Sequence, residues 1–457
     1  MRNLPPKLLL ILCSCSLITA LPGADRVYSL PWIGAITDFG LYSGYLPIPG
    51  TLKQLHYVTA LSQSNWQTDP VIVWFNGGPG CSSMLGFFQE HGPYVQENGA
   101  QNFSANEWSW NREASVVYIE SPAGVGYSIC PDEVECAFDD DNSALDNLAA
   151  ILQLMTSKFP ELQKNELYIS GESYAGVFVP KLAEQLDYMI GNCTENKSCS
   201  YIPNFKGFLV GNGLTDPEQH TRDTQLEMFY YFGMVDQYHY TQISKYCLKM
   251  DYQREECEDW WNEVELAASW VNPFDLYGKC YLNDNAARYA RFMEQPQYAG
   301  MLKIGKQKVG STPPCLWDGV LIGYLNQDDV KEALHIIPQA KKWDVCYDML
   351  NYASGIGSLD IYTKLRGKYR MLKYSGDTDA VVSIYGTREW INRLNWDITR
   401  EWHMFHISGH QVGGYVEYRE NDTFVFANIH GAGHMAPQDK REASYHVISK
   451  FIKKEII

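Results

Sequence analysis

The sequence is poor in basic charge: 37 Lys and Arg stand against 54 Asp and Glu, a formal net charge of −17. That balance argues against a nucleic-acid partner and suits a secreted or lysosomal protein. Long runs of like charge are missing, and the acidic group Asp139–Asp141 reads as a solvated approach to a helix rather than a metal site. Beyond the N-terminus no stretch of about 18 uninterrupted apolar residues occurs, so no spanning helix is expected in the mature chain. No Cys-x-x-Cys spacing is present, which removes the usual zinc-ribbon pattern. There is no internal repeat. Apolar residues are not scarce: they make up 45% of the chain and aromatics 14%, ample for a packed core.

The N-terminus reads as a secretory signal. Arg2 and Lys7 precede an apolar stretch from Leu8 to Leu21, then Pro22, Gly23 and Ala24. Cleavage after Ala20 or Ala24 is expected, giving a signal segment of 1–24. Cys13 and Cys15 leave with it, and ten of the 12 cysteines remain. An even number in a secreted chain predicts up to five disulfides, with Cys130–Cys136 and Cys193–Cys199 close enough for local loops. Behind a signal peptide, the Asn-x-Ser/Thr sequons at Asn102, Asn192, Asn196 and Asn421 become candidate glycosylation sites.

Strand-like segments run through Tyr45–Tyr57 and Pro70–Asn76, then Ser115–Glu120, 166–170 and Phe205–Gly211. The apolar run Val71–Phe75, stopped by Asn76-Gly77-Gly78-Pro79-Gly80, reads as a buried central strand. A helix is expected from about Asn142, with Ala144, Leu148, Ile151, Leu152 and Met155 on one face. Strands alternating with helices indicate a mostly parallel α/β sheet. The rhythm changes between about 216 and 343, a Tyr- and Trp-rich helical stretch that suggests an inserted cap; its aromatics Trp260, Trp261, Trp270 and Tyr277 read as core more than pocket lining. Sheet rhythm returns at 369–374 and 423–427, and a helix near 441–454 closes the chain. The expected division is 25–215 and 344–457 for the two parts of the core, with 216–343 between them.

Chemistry points first to Gly171-Glu-Ser-Tyr-Ala-Gly176. A β-rich stretch precedes it and a helical stretch follows, so Ser173 stands on a sharp strand–turn–helix corner flanked by small residues. A serine hydroxyl needs a base and a carboxylate that orients the base. Downstream, Ser375-Gly-Asp-Thr-Asp379 and Gly431-Ala-Gly-His434 each follow a strand. His434 is preferred over His410 as base, and Asp379 over Asp377 as orienting acid. The glycine-rich turn at 76–80 would bring a backbone N–H to an oxyanion, beside that of Tyr174, the residue after the nucleophile.

Trp74–Ser83, Glu120–Ser128, Gly171–Gly176, Gly376–Asp379 and Gly431–Met435, in this order, resemble the serine carboxypeptidases, which include the lysosomal cathepsin A-like enzymes. The resemblance spans nearly the whole mature chain. It implies an α/β-hydrolase core with a helical cap and removal of C-terminal residues from peptides without a cofactor. It implies Ser173 as nucleophile, His434 as base, Asp379 as orienter and the N–H groups of Gly78 and Tyr174 as oxyanion donors. Asn76, Gly77, Glu90 and Glu172 would bind the substrate's terminal carboxylate. A bridge from Cys81 to Cys346 is implied as well. Ala436 replaces a larger apolar residue and is expected to bear on substrate preference. The basic stretch Arg288–Lys308 reads either as a loop cut into two chains or as a plain surface loop.

Two glutamates beside a carboxylate substrate would repel it unless they hold protons. Peptidase activity is therefore expected to peak in mildly acidic solution, while substrates without a free carboxylate stay active at higher pH. Expected partners are peptides with a free C-terminus, not nucleic acid or a membrane, with a homodimer as an option. Rival functions are an acyltransferase on the same scaffold and a protective partner of lysosomal enzymes. The expected location is the secretory pathway, lysosomal or extracellular.

Overall fold

The structure is a computed structural model that describes residues 21–97, 102–131, 136–197, 199–216, 222–247, 255–268, 271–279, 319–347, 352–353 and 355–457. Signal residues 1–20, Trp270, Cys280, Cys315 and the stretch Arg288–Lys308 lie outside the described residues.

Among the described residues the largest sheet has 11 strands. Numbered in chain order they are β1 (Arg26–Val27), β2 (Leu41–Pro47), β3 (Gln54–Ala60), β4 (Val71–Phe75), β5 (Ser115–Ile119), β6 (Leu167–Glu172), β7 (Phe205–Gly211), β8 (Arg370–Gly376), β9 (Ile398–Ile407), β10 (Gln411–Arg419) and β11 (Phe424–Ile429). Their order across the sheet is β1-β2-β3-β5-β4-β6-β7-β8-β11-β10-β9. The middle run, β5-β4-β6-β7-β8-β11, is parallel throughout. The flanks are antiparallel.

Burial explains the middle. Every residue of β4, β5 and β11 is buried, which is why these segments read as unbroken apolar runs rather than alternating ones. Helices cover one face: α1 (Asp140–Gln153) packs on α2 (Ala175–Asn196), whose apolar side meets β6 and β7. Helix α6 (Ile384–Arg393) contacts β8, and α7 (Arg441–Ile452) contacts β9, β10 and β11.

The expected strand from 45 to 57 is a hairpin of β2 and β3, because the Pro47–Lys53 stretch turns the chain back. The long β9–β10 hairpin was not expected; β9 is an edge strand whose residues are mostly exposed, so it lacks the apolar signature of a buried strand. The acidic group at 139–141 is not simply solvated. Asp139 caps α1 by accepting from Asn142 N–H, Asp141 pairs with Lys181, and Asp140 is buried, accepting the hydroxyls of Tyr174 and Tyr352.

Between β7 and β8, helices α3 (Arg222–Tyr231), α4 (Gln237–Tyr246) and α5 (Glu255–Ala268) share a small core of their own with Leu226, Ile243, Trp261 and Val264. Trp261 belongs to that core, Trp260 is half-buried, and Tyr277 is exposed. Disulfides join Cys81–Cys346, Cys130–Cys136, Cys193–Cys199 and Cys247–Cys257. All four sequon asparagines are exposed. Among the described residues no helix is long and apolar enough to cross a membrane.

Candidate active site

Parallel register aligns the C-terminal ends of neighbouring strands, and the chemistry-bearing loops leave from there. Glu172 pairs with Gly211, Gly211 with Tyr374, and Gly376 with Ile429, so the turns carrying residues 173, 212, 379 and 434 stand in a row.

Ser173 occupies the corner between β6 and α2 with φ 62°, left-handed backbone that a non-glycine residue adopts only when its surroundings impose it. The surroundings are specific. Ser173 N–H donates to Gly211 O at 3.1 Å, and Ser173 O accepts from Gly176 N at 2.9 Å and Leu214 N at 2.9 Å. A Cβ on Gly171 would lie 2.4 Å from Phe75 O, and one on Gly176 2.3 Å from Leu214 O, so backbone crowding requires glycine at both positions. Ser173 is partly exposed, and among the described residues no hydrogen bond engages its hydroxyl. The serine–imidazole bond needed for base catalysis is therefore unformed here; in free enzymes it is commonly long and tightens on substrate.

His434 Nδ1 bonds to Asp379 Oδ2 at 2.7 Å, with both side chains almost wholly buried. Asp379 has every lone-pair direction engaged: Oδ1 accepts from Val381 N–H at 2.7 Å and Val382 N–H at 3.1 Å, and Oδ2 also accepts from the Asn212 amide at 2.9 Å. Four donors on one buried carboxylate fix its orientation toward the imidazole. Asp377 has a different job: its oxygens receive Gly431 N–H and His430 Nδ1, which fixes the turn leading to His434. His410 lies exposed in the β9–β10 turn.

The glycine-rich turn abuts the serine corner. A Cβ on Gly77 would fall 2.5 Å from Tyr174 N and 2.7 Å from Ser173 Cβ. Gly78 has φ 116°, which only glycine takes readily. Two backbone bonds, Ser82 N to Val345 O at 2.8 Å and Tyr347 N to Gly80 O at 2.9 Å, tie this turn to the chain around Cys346.

Next to it, Asn76 Nδ2 donates to Glu90 Oε1 at 3.1 Å and to Glu172 Oε1 at 3.0 Å. Trp74 Nε1 and Gly86 N–H orient that amide by donating to Asn76 Oδ1 at 2.7 and 3.2 Å. Both glutamates are buried and lie against each other, and among the described residues Oε2 of each has no donor. Burial pushes Glu90 up to about 7, and burial together with the Glu90 charge drives Glu172 well above the usual carboxylate range. Acidic protons are thus retained near neutrality.

Residues 31–454 match the serine carboxypeptidase family. This chain belongs to that family. It is 33% identical to the lysosomal protective protein of Mus musculus over 485 residues, covering 99% of this chain and 98% of the mouse protein. Serine carboxypeptidase ctsa-4.1 of Caenorhabditis elegans is 32% identical, with 97% and 96% of the two chains covered. Among solved structures, a prohormone-processing carboxypeptidase from Saccharomyces cerevisiae superposes with a TM-score of 0.70 at 18% identity, over 95% of this chain and 97% of the yeast one. The fold is that of an α/β-hydrolase, and the protein is a serine carboxypeptidase, a hydrolase.

Several residues of this serine carboxypeptidase escaped sequence reasoning. Asn212 bridges the acid loop, accepting Gly376 N–H at 3.0 Å while donating to Asp379; its Gly-Asn-Gly setting at a strand end was the available signal. Asp439 accepts Gly433 N–H at 2.8 Å next to His434, and burial pushes it up to about 7. Segment Pro273–Leu276 spans both loops: Pro273 O accepts Ala380 N–H, Phe274 O accepts His434 N–H, and Leu276 N–H donates to Thr378 O. Ala436 is wholly buried at the start of a short helical turn.

Proposed function

We propose that this carboxypeptidase works through an acyl-enzyme on Ser173 and favours acidic solution. His434 accepts the serine proton and Asp379 keeps its imidazole in the required tautomer. The N–H groups of Gly78 and Tyr174 receive the oxyanion. Asn76, Gly77, Glu90 and Glu172 receive the substrate's terminal carboxylate, so that the peptide is read from its C-terminus. Residues 216–343 serve as a cap over this site. The chain enters the secretory pathway through its first 24 residues, with glycans on Asn102, Asn192, Asn196 and Asn421, and acts in the lysosome or outside the cell.

One observation carries the reading: two buried glutamates share a single amide donor, and among the described residues one oxygen of each has no donor. Protonated, those oxygens become donors to an incoming carboxylate; ionised, they repel it. Because burial pushes Glu90 up to about 7 and raises Glu172 well above the usual carboxylate range, peptide binding weakens as pH rises through neutrality. His434 works in the opposite sense, since it must be neutral to accept a proton.

The experiment compares a peptide with a free C-terminus and the same peptide as its C-terminal amide or ester over pH 4 to 9. For the free peptide, KM rises with pH; for the blocked substrate it stays level. Superimposable profiles would reject the proposal. Transfer of the acyl group to an added alcohol in preference to water would instead indicate an acyltransferase.

A further inference from the structure

Lys373 sits in the middle of β8 with no exposed surface. Its neighbours Leu372 and Tyr374 belong to the core on the opposite face of the sheet, so the lysine is carried into the helix-covered layer, where Nζ lies 5.6 Å from the centre of the Trp390 ring. Among the described residues no carboxylate pairs with Nζ. An ammonium buried without an anion is costly, and here burial brings it down to about 7. A Met or Leu would fill this space without that cost.

Its partners show what the lysine holds. Nζ donates to Gly213 O at 2.6 Å and to Thr215 Oγ1 at 3.1 Å. The peptide unit whose carbonyl it grips has its N–H on Leu214, and that N–H donates to Ser173 O at 2.9 Å. One residue earlier, Asn212 donates to Asp379 Oδ2. Gly213 is hemmed in, because a Cβ there would lie 2.2 Å from Val210 Cγ1 and 3.0 Å from Gly176 Cα. The 212–215 turn is therefore the piece of backbone between the serine corner and the acid. A cation on the carbonyl side polarises the peptide and strengthens the N–H bond on the other side.

We infer that Lys373 is a positioning residue for hydrolysis: its ammonium fixes the Gly213–Leu214 peptide, which holds the strained Ser173 corner, and steadies Asn212 against Asp379. The inference rests on the roles of Ser173 and Asp379 proposed above.

Lys373→Met tests it. Methionine fills a similar volume and removes the cost of burying an unpaired charge, which offsets the donor lost by Gly213 O and Thr215 Oγ1. The variant is expected to fold with an equal or higher Tm. Its kcat and its rate of covalent labelling by a fluorophosphonate both fall at least about tenfold, with KM within about twofold. Lys373→Arg, which keeps N–H donors, recovers most of the loss. A merely structural lysine would lower Tm and kcat together. Labelling and kcat of the Met variant within about twofold of the parent would overturn the inference, as would equal losses in the Met and Arg variants. Should the Met variant not fold, Lys373→Gln takes its place with the same readouts. Absence of labelling at Ser173 in the parent protein would instead strike the proposed function.

Discussion

Asn212 and Asp379 meet across the ends of two neighbouring strands, the amide of one donating at 2.9 Å to the carboxylate oxygen that also holds His434. Asn212 thus restrains the same carboxylate oxygen that the imidazole meets. Asn212→Ala leaves that buried oxygen one donor short. We expect kcat to fall about tenfold with KM little changed, read from initial rates on one peptide at saturating and limiting concentration.

Asp379 and Asp377 are predicted to differ sharply. Asp379→Asn keeps the shape but presents the wrong partner to His434, and kcat should drop on the order of 10³- to 10⁴-fold without unfolding. Asp377→Ala loosens only the turn at His430 and Gly431, and the loss should stay below roughly a hundredfold. Circular dichroism alongside kinetics separates these effects from misfolding.

Gly77→Ala should nearly abolish activity. Its new Cβ would press on the Tyr174 nitrogen at 2.5 Å and on Glu172 O at 2.7 Å, backbone atoms that cannot swing away. We expect a loss of at least about a hundredfold in kcat, measured with a blocked ester so that carboxylate binding does not enter.

Glu90 ties stability to pH. Its folded-state proton affinity is raised, to about 7, above that of an unfolded glutamate. The stabilisation it brings is complete below about pH 4 and is lost as pH rises through 7. Glu90→Gln cannot ionise, so relative to the parent it should gain stability between pH 5 and pH 8, on the order of 3 kcal/mol. Denaturant melts at both pH values give the difference. A variant whose advantage does not grow with pH would contradict the assignment.

The Cys81–Cys346 bridge spans 265 residues of sequence, so its removal should cost about 5 kcal/mol by chain entropy. Catalysis should suffer less, because the flanking backbone bonds from Ser82 and Tyr347 hold the glycine-rich turn on their own. Cys81→Ser with Cys346→Ser is expected to lower Tm clearly while keeping kcat within about tenfold.

Local sequence is enough where local physics decides. Val71–Phe75 could only be a strand buried on both faces, and the small residues around Ser173 mark a corner where backbone meets backbone. The order of the serine, acid and histidine segments along the chain was legible too, as was the family. Chain order and setting favour Asp379 over Asp377 as the orienting acid, and the imidazole does meet Asp379; what Asp377 does instead, tying down the turn at His430 and Gly431, shows only in the folded loops. Sequence could not reveal β9, an exposed edge strand with no apolar rhythm, or Asn212 and Pro273–Leu276, which act through partners far away in the chain. The buried ammonium of Lys373 belongs to the same class, whereas Glu90 and Glu172 are already expected from sequence as a proton-holding pair and the fold adds the burial that raises their proton affinity. Their chemistry is set by exclusion from water and by neighbours of distant sequence number, and both exist only once the sheet has brought those segments together.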